Sequence, residues 1–256
     1  MVYISPTGSF NNPRPDLTAN DAGQLVKVQI ENSLALGWKK EDIMIVTNFD
    51  FRYGEFTTRV IKDVEFFDRK PQVSKINAII KLFEKGIIKK GEMYWFHDLD
   101  AFQLQPITEK EIRILNNQIA LTDFGGGKYF RGEDRWSTGV IFFRSGSKDI
   151  FDRIKALAYE RKIDEEEALG LLTINDPKIR KRVKKINNSY NFIGYKLQSV
   201  YEKSIKPLKV AHFHPYGFIR RLKVERPLDF FLGENELHIP LITSRLIRIF
   251  KFHRIR

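Results

Sequence analysis

The chain has 256 residues, 42% of them hydrophobic, and 44 Lys and Arg against 32 Asp and Glu, for a formal net charge of +12. That length and apolar content fill the core of one large or two small domains and exclude a disordered chain. There is no cysteine, which excludes disulfides and thiolate metal sites, and no apolar run approaches a membrane span. The positive excess points to anionic partners such as nucleotides, nucleic acid or acidic lipid surfaces, and equally describes a lysine-rich solvated surface. Much of it lies late, at Lys178, Arg180, Lys181, Arg182, Lys184 and Lys185, at Arg220, Arg221, Lys223 and Arg226, and along 245–256. The amino terminus opens as a strand, VYIS, and not as a signal sequence, so a cytoplasmic location is expected.

In chain order, residues 1–10 (MVYISPTGSF) predict a strand and then a small-residue loop. Its Ser5, Thr7, Gly8 and Ser9 offer hydroxyls and exposed backbone at the mouth of a sheet. The G-x-x-x-x-G-K spacing of a phosphate loop is absent, and Pro6 with Gly8 also suits a plain turn. Residues 20–36 carry Ala22, Val26, Ile30 and Leu34 at four-residue spacing, with Asn20 or Asp21 as cap and Gly37 as terminator. This is the pattern of an amphipathic helix. Residues 42–48 (DIMIVTN) predict a second buried strand, so strand, helix and strand open a βαβ unit with a parallel sheet. A third short strand is expected at 64–67. Ser74 is expected to cap a helix with Ile76, Ile79, Ile80 and Phe83 on its apolar face, ending at Gly86. Lys75 falls in the first turn, where the helix dipole disfavours a cation. It is therefore either simply solvated or matched by an anion beyond the helix.

The next stretch, residues 93–104 (MYWFHDLDAFQL), is the one around which the chain is arranged. Met93, Tyr94, Trp95 and Phe96 predict a strand buried on both faces, as in a parallel sheet covered by helices. Asp98 and Asp100 would then emerge at its carboxyl end, where open α/β sheets bind ligands. Two acids one residue apart repel each other close to the core, and a divalent cation relieves that repulsion. An ordinary polar strand end with an ion pair is the simpler reading of D-x-D alone.

Beyond it, Thr108 and Glu111 predict a capping box. Residues 119–122 predict a strand ending in Asp123, ahead of a loop with glycines 125–127. Ser137, Thr138 and Gly139 lead into the apolar strand 140–143, and Ser147 is expected to cap a helix through Ile150, Phe151, Ile154 and Leu157. Asp164, Glu165, Glu166 and Glu167 open a further helix, where the dipole alone accounts for acids. A polar and aromatic loop follows (185–195, KINNSYNFIGY), and 208–213 (LKVAHF) return as a strand ending near His212 and His214. Residues 240–256 mix basic and apolar residues without a period, and either cap the core or lie on a membrane surface.

Four local patterns, in order, resemble the GT-A fold glycosyltransferases, in particular the glycogenin and lipopolysaccharide galactosyltransferase group. They are Ser74-Lys75 ahead of MYWFHDLDAFQL, the stretch Ser137-Thr138-Gly139-Val140, IDEEEAL followed by INNSYNF, and VAHFHPYG. They span most of residues 1–218. The resemblance implies an α/β GT-A (Rossmann-like) domain at 1–218, with a central, mostly parallel sheet flanked by helices. Residues 219–256 would be a basic carboxyl-terminal extension.

The resemblance also implies a metal-dependent glycosyltransferase that uses a nucleotide-sugar, with a UDP-sugar favoured and retention of the anomeric configuration slightly preferred. Asp98, Asp100 and His212 would hold Mn2+ or Mg2+, although His214 competes for the third position. Ser5, Pro6, Thr7, Ser9, Thr47, Asn48, Lys75, Asp98 and Leu99 would bind the nucleotide-sugar. Asp123 and residues 137–139 would face the sugar and acceptor, and Glu165 or Glu166 would sit near the anomeric carbon. The acceptor would be a glycan, a lipid-linked sugar or a protein, with the basic carboxyl terminus touching a membrane surface and no specific nucleic acid expected. Two other readings stand beside it. One is a haloacid-dehalogenase-type phosphatase, which places its acid pair early in the chain. The other is a basic nucleic-acid or membrane-surface binding module.

Overall fold

The structure, a computed structural model, describes residues 1–6, 8, 19–123, 136–193 and 202–212. Strand β1 (Val2–Tyr3) precedes helix α1 (Ala19–Ala35), strands β2 (Val46–Thr47), β3 (Arg52–Tyr53), β4 (Phe56–Thr57) and β5 (Arg59–Val60), and helix α2 (Ser74–Glu84). Strands β6 (Met93–His97) and β7 (Ala101–Gln103), helix α3 (Glu109–Ile112), and strands β8 (Ile119–Asp123) and β9 (Trp136–Arg144) follow. Helices α4 (Lys148–Arg161), α5 (Glu165–Asn175) and α6 (Pro177–Arg180) lead to β10 (Val183–Lys185), β11 (Phe192–Ile193) and β12 (Val210–His212).

The sheets combine parallel and antiparallel pairing. Strands β1, β2 and β5 are mutually parallel, as the opening βαβ pattern predicts. In the order β10-β8-β9-β6, β10 is parallel to β8, while β9 is antiparallel to both β8 and β6. The apolar run at 93–97 is therefore a strand, but its hydrogen-bonded partner runs the opposite way. Strand β12 lies between β11, parallel to it, and β7, antiparallel to it.

The continuous apolar runs arise because both faces of the β8–β9 sheet are covered. Ile119, Leu121, Ile141 and Phe143 join a core with Ile76 and Ile79 of α2, Phe151 and Ile154 of α4, and Leu169 of α5. The alternate residues Ala120, Val140 and Phe142 point the other way, onto Ile112, Ile186, Tyr190 and Val210. Side chains of a strand alternate between faces, so two buried faces leave no polar position in the pattern.

Several expectations are corrected. Residues 64–67 are not a strand, and the third parallel strand is β5. Ser74 does not cap α2, which follows a 3-10 turn (Pro71–Val73), and its Oγ accepts the Phe67 N–H at 2.9 Å instead. Thr108 makes no side-chain cap, and Glu111 turns away to Lys209 and the Tyr190 hydroxyl. The Ser147 hydroxyl donates back to the Arg144 carbonyl rather than capping α4.

On α1, which begins at Ala19 with Asn20 and Asp21 inside its first turn, Val26 and Ile30 are buried as expected, but Leu34 is 43% exposed. Gln29 and Asn32 are buried in its place, because that face meets backbone carbonyls. Thr7, Ser9, glycines 125–127, His214 and residues 219–256 lie outside the described residues. No helix among the described residues is long and apolar enough to cross a membrane.

Candidate active site

Strand register assembles the acid cluster. Strand β6 ends at His97 and the chain turns over Asp98, Leu99 and Asp100, with the Ala101 N–H returning to the Asp98 carbonyl at 3.1 Å. The outgoing strand β7 pairs with β12, placing Ala101 opposite His212. Residues 112 positions apart thereby meet, and His212 Nε2 lies 3.1 Å from Asp100 Oδ1. Ligand atoms of Asp98, Asp100 and His212 all lie within 4.8 Å of one another.

The other nitrogen of His212, Nδ1, is 3.1 Å from Asn191 Oδ1, and the Asn191 amide nitrogen donates to Ser137 Oγ at 2.9 Å. This chain of bonds sets the ring's orientation and leaves Nε2 on the acid side. Gly139 lies beneath. Its carbonyl accepts the Asp98 N–H at 2.8 Å, and a Cβ at that position would lie 2.3 Å from His212 Cε1 and 2.7 Å from its Nδ1. Only glycine lets the histidine seat against β9 here.

A second layer of charge lies behind the acids. Lys75 Nζ is 2.9 Å from Glu165 Oε1 and 3.3 Å from Asp98 Oδ2. The lysine set against the dipole of α2 thus has its anions. Burial opposes the charge on Lys75, but Asp98, Glu165 and Glu166 outweigh it and hold the ammonium above its usual range. The Thr138 hydroxyl donates to Glu165 Oε1 at 2.8 Å and its N–H to Glu166 Oε1 at 2.9 Å. Glu165 is 2% exposed, and its Oε2 has no hydrogen-bond partner among the described residues.

Four carboxylates therefore share Lys75 and His212 in a half-buried corner. Burial pushes the Asp98 carboxyl up, Lys75 opposes the shift and Asp100 adds to it. Carboxylate oxygens suit magnesium or manganese, and one imidazole among them favours the transition metal of that pair. The close donor set and the glycine cradle under the histidine fit such an ion.

No protein-family model matches the sequence, and no curated protein matches it. Solved structures do. One is a glycosyltransferase involved in the glycosylation of the major capsid of PBCV-1, 14% identical, with a TM-score of 0.53 over 87% of this chain and 98% of that one. Another is the galactosyltransferase LgtC in complex with donor and acceptor sugar analogues, 15% identical, with a TM-score of 0.50 over 76% of this chain and 84% of that one. An active-site mutant of LgtC is 17% identical over the same shares, with the same TM-score of 0.50. The chain has the GT-A glycosyltransferase fold.

Within this GT-A fold the expected site residues do not all come together. Asp98, Asp100, His212, Lys75 and Glu165 form one connected cluster, with Glu166 bound to it through Thr138. Ser5, Thr47 and Asn48 instead join the ends of β1 and β2. Asn48 Oδ1 accepts the Ser5 N–H at 2.9 Å, its Nδ2 donates to the Ser5 carbonyl at 2.6 Å, and the buried Thr47 hydroxyl donates to the Phe49 carbonyl at 2.5 Å. Pro6 is exposed, and Leu99 packs against Val26, Ile30 and Ile45 under α1. Asp123 forms an ion pair with Lys185 and accepts from Asn188 at 3.5 Å.

Residues 137–139, expected to face the sugar and acceptor, are buried. Ser137 and Thr138 are at most 1% exposed, and their hydroxyls serve Asn191 and Glu165. Sequence reasoning missed Gln29, Thr138 and Asn191 as supports. The STGV and INNSYNF segments carried a signal for Thr138 and Asn191, and none pointed to Gln29.

Glu166 supplies a pH-dependent test. Burial first, and Glu165 second, push its carboxyl up from 4.5 to about 7, against Lys75. Between those values the unfolded chain has lost a proton that the folded chain keeps. The contribution to stability is complete below 4.5 and lost as pH rises to about 7. Because Glu166 is partly exposed, the loss is about 1–3 kcal/mol. Urea denaturation in a chelator should show Glu166→Gln gaining that much on wild type between those pH values. A stability difference that stays flat with pH would contradict the assignment.

Proposed function

We propose that the protein is a metal-dependent glycosyltransferase that moves a sugar from a nucleotide-diphosphate-sugar, a UDP-sugar being favoured, to a glycan, lipid-linked or protein acceptor. The observation that carries the reading is the Asp98, Asp100 and His212 cluster at the rim of a GT-A sheet, with Lys75 beside it. Asp98, Asp100 and His212 would hold Mn2+ or Mg2+, a Lewis acid that neutralises charge gathering on the departing diphosphate.

The remaining chemistry belongs to the chain. Transfer builds positive character on the sugar and negative charge on the leaving group. Lys75, held protonated by its carboxylate neighbours, contributes a fixed positive charge at that end of the sheet. Of the two acids expected near the anomeric carbon, the half-buried Glu166 would face the developing positive sugar while the buried Glu165 pairs with Lys75, and Thr138 holds both through its hydroxyl and N–H. Asn191 keeps the His212 ring turned towards the acids. Retention is slightly preferred, on resemblance alone.

The catalytic domain would span residues 1–218. The basic residues 219–256 would give it peripheral contact with a membrane surface or anionic acceptor.

A thermal-shift screen of nucleoside diphosphates with and without manganese tests this reading. A ligand at a hundredfold excess over its Kd adds about 2.7 kcal/mol, which raises Tm by several degrees for a chain of this size. The shift is expected with uridine diphosphate and only when manganese is present. No metal-dependent shift with any nucleoside diphosphate would overturn the proposal.

A further inference from the structure

We infer that Gln29, on helix α1, is a positioning residue that sets the Asp98–Asp100 turn for cation binding; this rests on the metal-dependent reading above. Gln29 is 1% exposed, and its Nε2 lies 2.8 Å from the Leu99 carbonyl and 2.8 Å from the Ala101 carbonyl. A primary amide has two N–H donors, so one side chain serves both carbonyls. Those carbonyls bracket Asp100. The amide therefore fixes the peptide plane that enters Asp100 and the one that leaves Ala101, while the Ala101 N–H on the Asp98 carbonyl, at 3.1 Å, holds the plane between them. Together these bonds restrict the backbone angles of Asp100 and the direction in which its side chain leaves the turn.

The surroundings favour a designed hold over an incidental contact. Strand β7 bonds to β12 along one edge, and its opposite edge meets α1, which offers side-chain amides instead of a neighbouring strand. Asn32, three residues after Gln29 and on the same helix face, donates to the Gln103 carbonyl at 2.8 Å. Burying two amides on a helix face that could have been apolar is costly unless each is bonded. Leu99, inside the turn, packs on Val26, Ile30 and Ile45, so helix and turn move together. Gln29 and Asn32 do the same chemistry at different distances from the acids. Gln29 flanks Asp100, whereas Asn32 acts three residues downstream, and the pair therefore separates positioning of the cation site from general support of β7.

The test is manganese affinity of the full chain without donor, read from the free-ion signal in electron paramagnetic resonance, alongside Tm. Gln29→Met keeps the side-chain length and removes both donors. It is expected to weaken manganese binding about tenfold or more. Asn32→Leu should lower Tm to a similar degree yet keep manganese affinity within about twofold of wild type. Gln29→Glu, with at most one donor, should show an intermediate loss and replaces Gln29→Met should that variant fail to fold. Wild-type affinity in both Gln29 variants, or an equal loss in Asn32→Leu, overturns the inference. A wild-type chain that takes up no manganese overturns instead the metal reading on which it rests.

Discussion

Asp98→Asn and Asp100→Asn should each lower kcat/KM on the order of a thousandfold, a loss of about 4 kcal/mol of transition-state stabilisation. Each variant should also lose the manganese-dependent rise in Tm. The fold should survive, because asparagine has almost the same shape and the carboxylates carry no part of the core. In chelator, Asp98→Asn should be at least as stable as wild type near neutral pH. Burial raises the Asp98 pKa and Asp100 repels its charge, so the ionised form is the strained one. The sign follows from linkage: a raised carboxyl pKa means stability lost as pH rises, and an amide removes that loss. Turnover of a nucleotide-sugar at the wild-type rate by the double variant would end the metal reading outright.

Lys75→Met has the largest expected effect on stability. The Lys75 and Glu165 side chains are 11% and 3% exposed, so the variant leaves a buried carboxylate facing Asp98 without a cation. Breaking such a pair from one side costs about 3–5 kcal/mol, a fall in Tm of roughly 6–20 °C. The double variant Lys75→Met/Glu165→Gln should recover most of that stability, because the orphaned charge has gone. Activity should not recover with it, staying roughly a hundredfold or more below wild type, because the fixed positive charge proposed to face the donor's diphosphate is still missing. Chemical denaturation and turnover measured on the same three proteins separate the two roles. A double variant as unstable as Lys75→Met would place the cost elsewhere than in the unpaired Glu165.

Much of the site can be read from residue types. The Asp98 and Asp100 pair stands out because acids directly after four apolar residues sit where a buried strand surfaces. Lys75 stands out because its position contradicts the helix dipole, and its partners Asp98 and Glu165 resolve the contradiction. Glu165 is harder, since acids at the start of α5 need no explanation beyond the dipole. Its burial against Thr138 comes from the packing of α5 on β9. Asn48 shows the opposite difficulty. A polar residue at a strand end looks available for a ligand, yet its amide is bonded at both ends to the backbone of Ser5.

By itself the sequence determined that the chain is an α/β domain with acids at a strand's end, because hydrophobic periodicity and residue chemistry are local properties. It determined the opening parallel unit, the apolar faces of α2 and α4, and the acid pair at Asp98 and Asp100. Only the tertiary structure decided that β9 runs antiparallel to β6, that His212 lies opposite Ala101, and that Gly139 makes room for the imidazole. It alone decided that Gln29 reaches across to both sides of Asp100. These depend on strand register and on how a helix crosses a sheet edge. Both follow from the burial of the whole core, and neither leaves a trace in the residues nearby.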